Sequence, residues 1–187
     1  MMRNILASII ACTISASAIA ACPTNHFEPT FDLGGHFPGS DRILAAQLSA
    51  APDAELALMF VEFGRRDPEF GSVYMVSVVR QGLHGDGTLF LNRIKDGNPV
   101  SHHVRMSAAE VRTTIEEVAP TLLKTHYSQT ECPVHYTHGI YSQMAVEYPG
   151  RGLVGGQVFS PMETSEAGKI VAIGRKLKER ALSGQGE

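Results

Sequence analysis

From residue 55 onward, the apolar positions of the chain come in short dense runs separated by turn-forming residues. "ELALMFVEF", Glu55 to Phe63, is apolar on both alternating faces, the pattern of a central strand covered on both sides. "VYMVSVVR", Val73 to Arg80, is β-branched and reads the same way. Gly85-Asp86-Gly87 supplies the turn chemistry to fold it back onto "LFLNRI", Leu89 to Ile94. After a break at Asp96-Gly97-Asn98-Pro99, "SHHVRM" forms a further strand. Later, "GIYSQMAVEY", Gly139 to Tyr148, places Ile140, Met144, Val146 and Tyr148 on one face, and Pro149-Gly150 turns it towards "LVGGQVF", Leu153 to Phe159, as a second hairpin.

Three stretches switch to helical spacing. Ser40-Asp41 caps a short helix with Ile43, Leu44 and Leu48 that ends before Pro52. Ser107-Ala108-Ala109-Glu110 is a capping box, followed by Val111, Ile115, Val118 and Leu122 on one stripe. Pro120 is expected to kink or restart that helix, and Glu116-Glu117 to lie on its solvated side. Ser160-Pro161-Met162-Glu163 opens a final helix with Ile170, Ile173, Leu177 and Ala181 on its buried stripe. Tight turns instead of crossover helices between most strands give an α+β class. The expected architecture is a mainly antiparallel sheet of about five to six strands, with two main helices packed on one face and a short N-terminal helix.

The first 21 residues follow a different pattern. Arg3 precedes the apolar stretch Ile5 to Ala11, which decays into Ser, Thr and Ala before Cys22; this order is that of a secretory signal. The expected organisation is a signal peptide over 1–21, an extended segment over 22–40 docked by Phe27, Phe31 and Phe37, and a single α+β domain over 41–187. Ala18-Ile19-Ala20 fits cleavage to a soluble product, while Ile19-Ala20-Ala21-Cys22 resembles a bacterial lipobox, which would place a lipid on Cys22. Cys12 leaves with the signal, so Cys22 without lipid has Cys132 as its partner in an oxidising compartment. Closing so long a loop stabilises by about 4 kcal/mol in the chain-entropy model.

Charge narrows the function. The formal net charge is −3, and basic residues occur singly or in short clusters such as Arg65-Arg66, so nothing tracks a nucleic-acid backbone. Gly150-Arg151-Gly152-Leu153-Val154-Gly155 matches GxGxxG, but a β-forming stretch follows where pyrophosphate binding needs a helix N-terminus. Asp86 is a single carboxylate in a turn and serves the hairpin. His102-His103 would face opposite sides of a strand, one of them inward.

Cys132, His135 and His138 are spaced C-x2-H-x2-H. A thiolate and two imidazoles suit Zn or Cu, with His102, His103 or His126 as a further ligand. Pro133 and Gly139 oppose a helix there, so a tight turn would have to bring them together; the same residues also fit a polar loop with surface histidines. A disulfide between Cys22 and Cys132 would remove the thiolate. With no catalytic signature present, the expectation is a non-enzymatic protein exported to the periplasm or beyond, without a cofactor, that binds a partner protein. Membrane contact would come through a lipid on Cys22 alone. The competing expectation is metal-binding or metal-dependent chemistry at Cys132, His135 and His138.

Denaturing intact-mass spectrometry of the protein from its native envelope, before and after reduction and alkylation, separates the two fates of Cys22. An acylated N-terminal Cys22 keeps Cys132 available as a ligand. Two cysteines that alkylate only after reduction establish the disulfide and retire the thiolate site.

Overall fold

The structure is a computed structural model that describes residues 27–30, 37–64, 73–95, 98–124, 139–148 and 151–184. Its strands are β1 (Glu28–Pro29), β2 (Ala54–Gly64), β3 (Tyr74–Gln81), β4 (Gly87–Lys95), β5 (Asn98–Met106), β6 (Ile140–Tyr148) and β7 (Gly152–Phe159). Its helices are α1 (Ser40–Leu48), α2 (Ala108–Leu122) and α3 (Glu166–Ser183). All seven strands form one antiparallel sheet in the order β1-β7-β6-β2-β3-β4-β5. The fold is therefore α+β. β2 to β5 form a meander, and α2 carries the chain back across the sheet so that β6 pairs with the free side of β2.

The double-faced apolar pattern of β2 reflects burial on both sides. Leu58 and Phe60 join Val76, Val78, Leu89, Leu91, Met144 and Val146 in a core shared with α2 and α3. Met59 and Val61 point the other way and join Met75, Ala145 and Phe37, with Ile43 and Leu44 of α1 packed against them. A β-bulge between Leu56 and Leu58 turns both Ala57 and Leu58 into the first core. On the α1 face, Ser77 Oγ donates to Gln47 Oε1 at 2.7 Å, which satisfies two buried polar groups and ties the helix to β3.

The N-terminus of α2 is held from three directions. Ser107 Oγ accepts from Glu110 N at 3.4 Å, and Ser107 N donates to Glu110 Oε2 at 2.7 Å, completing the capping box. Asp86, in the β3–β4 turn, accepts from Ala108 N at 2.9 Å through Oδ1. Arg180 of α3 reaches Glu110 Oε1 at 2.9 Å. The Arg180 hydrogen bond, then those of Ser107, hold the Glu110 carboxyl down to about 2. That contribution to stability is present above the ordinary carboxylate range and is lost as pH falls towards 2.

Several expectations need correction. The sheet has seven strands instead of five or six: β1 pairs with β7 at Glu28↔Gln157 and Pro29↔Gly156, and a two-residue strand has no alternation to read. α2 runs through Pro120 without restarting, because the proline lies in the last turn. α3 starts at Glu166, not at Pro161. Ser165 is its N-cap, with Oγ accepting from Gly168 N at 3.0 Å. α1 has Gly39 as its N-cap, with φ 75° and no side-chain cap; Ser40 is already helical and buried.

Where α3 crosses the sheet it rests on Phe60. A β-carbon at Gly174 would lie 2.5 Å from that ring, which is fully buried. Gly174→Ala therefore trades better helix propensity for overpacking. The expected net result is a loss of about 1–2 kcal/mol, read as a lower urea midpoint with an unchanged slope.

Candidate binding groove

Two polar clusters stand at opposite ends of the central strands, on the face covered by α2 and α3. At one end, Glu62 of β2 is only 8% exposed and accepts from four donor atoms on three side chains. Tyr74 Oη lies at 2.5 Å, Ser142 Oγ at 3.3 Å, and Arg175 of α3 donates through Nε at 3.0 Å and Nη2 at 2.7 Å. Lys178 Nζ sits 4.6 Å from the centre of the Tyr74 ring. Burial, then the neighbouring Glu62 charge, pushes the Tyr74 phenol up, so it stays protonated and donating at any physiological pH. Arg175 is pushed up by its hydrogen bond to Glu62. The cluster's donors converge on a single carboxylate, and its chemistry is that of a clasp holding α3 to the sheet.

The other end is open. Here β2 begins and β3 and β6 finish, and Arg80 of β3 stands on the α2 side with 4% exposure. Its Nη2 donates to Glu55 Oε2 at 3.3 Å and to Glu147 Oε2. A buried guanidinium needs such partners, because an uncompensated interior charge costs several kcal/mol. Above Arg80 lies a groove of about 490 Å³ between α2 and the β3–β4 turn. Val111, Ile115 and Ala119 form its apolar wall. Leu83 and Tyr148 stand at its rim, 44% and 36% exposed. His84, Arg112 and Glu116 add exposed polar groups.

An apolar concavity of this size with a few polar groups has the anatomy of a binding site. Glu116 and Glu117 are both exposed on α2, as expected for a solvated helix side.

The residues singled out by sequence fare differently. Cys22, Cys132, His126, His135 and His138 lie outside the described residues, as do 1–21. Among the described residues no group of three His, Cys, Asp or Glu side chains is placed to hold a metal ion. His102 points inward at 9% exposure, and His103 points to the opposite face, its ring 6.1 Å from that of Phe90. Asp86 caps α2. Of the GxGxxG match, Gly152 to Gly155 lie in β7, with no helix before Glu166. The groove itself was missed. Its signal was Arg80 ending an otherwise apolar strand, followed at once by Leu83 in a turn.

No family model, curated protein or solved structure matches the chain.

Burial first, and the nearby Arg93 charge second, lower the His102 pKa below its ordinary 6.5. The unfolded chain then binds more protons than the native one below about pH 6.5, so stability is present above that value and lost as pH falls through it. The urea midpoint is expected to drop between pH 7 and 5, and His102→Gln to flatten that part of the profile. An unchanged slope would show that the acid sensitivity lies elsewhere.

Proposed function

We propose that this is an exported, non-enzymatic envelope protein whose groove between α2 and the β3–β4 turn receives an apolar segment of a partner protein. The observation that carries the reading is the pairing of an apolar wall, Val111, Ile115 and Ala119, with two large side chains, Leu83 and Tyr148, exposed at the rim. Isolated exposed apolar residues are ordinary; two of them framing a concave apolar surface form a contiguous patch of the kind that marks a partner site. The ordering cost of docking is low here, since the wall belongs to a helix capped three ways and the floor to a central strand.

Export is supported by the N-terminal pattern of Arg3, the apolar stretch and the small residues before Cys22. Among the described residues, no helix is long and apolar enough to cross a membrane.

A photo-crosslinking phenylalanine analogue at position 83 is expected to give, in intact cells, an adduct one protein larger than the chain. The same analogue at His103, on the opposite sheet face, should give none. Equal adducts from both positions, or no adduct from position 83, would overturn the proposal.

A further inference from the structure

A second hollow lies on the α1 side of the sheet, between the end of α1 and strands β3 to β5. It encloses about 270 Å³, room for one small ring and just under the ~300–1,000 Å³ typical of drug-sized ligands. Gln47, Asp86, Thr88, Phe90 and Arg105 line it. Ser77 Oγ donates to Gln47 Oε1 at 2.7 Å, so this amide, on a residue only 9% exposed, is held with Nε2 as its unpaired end. That nitrogen is not sealed from solvent. Asp86 accepts from Ala108 N through Oδ1 and keeps Oδ2. Among the described residues, Gln47 Nε2, Asp86 Oδ2, Thr88 Oγ1 and the Arg105 guanidinium have no hydrogen-bond partner.

The charges lining the hollow cancel. Arg105 and Asp86 are of opposite sign, and Arg80, which also borders it, is already paired with Glu55 and Glu147. The free groups comprise two donors, one acceptor and a hydroxyl that does both. Beside them the half-buried Phe90 ring offers an apolar plane. We infer that the hollow binds a neutral pyranose sugar, its C–H face on Phe90 and its hydroxyls on Gln47, Asp86, Thr88 and Arg105. A hydroxyl donates and accepts, so a ring of them satisfies this mixed set; a carboxylate or an ammonium matches only half of it. The weakly positive C–H face of a pyranose also suits the negative face of an aromatic ring. The site is on the other face of the sheet from the partner groove and stands independently of it.

The test is NMR titration of the full protein, purified after export and isotope-labelled on nitrogen, with the methyl pyranosides of glucose, galactose, mannose and N-acetylglucosamine. At least one is expected to bind, shifting the Gln47 side-chain amide signal while its own ring protons move upfield under Phe90. Sorbitol, a polyol without a ring face, should leave that signal in place, and methyl glucuronide should bind no more tightly than methyl glucoside. Phe90→Leu is expected to weaken binding about fivefold, and Arg105→Gln by about the same factor. Arg105 is exposed, so that variant keeps the fold. The disaccharide carrying the bound sugar at its non-reducing end then identifies the source. Retained affinity assigns the end of a glycan chain, lost affinity a free monosaccharide, and either upholds the inference. No shift at Gln47 with any pyranoside, an equal response to sorbitol, tighter binding of the glucuronide, or full affinity in both variants overturns it.

Discussion

From Ala57 to Glu62, β2 has no solvent side. It is paired along both edges, and its two faces are sealed by α2 with α3 and by α1. Any polar group on such a strand has to be satisfied from within the protein, since an unpaired one costs on the order of 1–3 kcal/mol. That requirement organises the molecule. The two acidic residues of β2, Glu55 and Glu62, lie near its ends, and each collects partners from distant segments. Glu62 draws in Tyr74, Ser142 and Arg175; Glu55 shares Arg80 with Glu147. Between them the strand is apolar, and both cores form around that stretch.

The two ends then diverge for a geometric reason. α3 crosses above Glu62 and lays Arg175 over it and Lys178 over the neighbouring Tyr74 ring, so that end is filled. At the Glu55 end α2 stands off from the sheet beside the β3–β4 turn, and the space between them stays open as the groove. One face of the sheet thus carries a closed clasp at one end and an open groove at the other. The proposed partner site is the end that the helices do not cover.

Much of this fold was legible in the chain, because β2, β3 and α2 are written in local patterns: two-faced alternation, β-branching, and a capping box with an apolar stripe. β1 was not, since two residues have no period. The start of α3 was misplaced because Ser160-Pro161 and Ser165-Glu166 both resemble helix openings, and the choice falls to Ser165 through its bond to Gly168 N. Beyond Arg80 and Leu83, the groove was illegible for another reason. It depends on β6 lying beside β2, which brings Glu147 and Tyr148 to Arg80 from far along the chain, and no local spacing encodes that neighbourhood. The metal-ligand spacing at Cys132, His135 and His138 was legible as a pattern, but it lies outside the described residues.

The pairing of β2 with β6 also bears on how the chain reaches this state. β2 through β5 can zip together as neighbours, but the other edge of β2 has to await a strand that follows α2. Until then Leu58 to Val61, an apolar and β-prone run, sits on an open edge, the arrangement that invites intermolecular strand addition. Such late, long-range closure makes folding slow. A newly made chain is most exposed to aggregation during that interval, which ends with the arrival of β6.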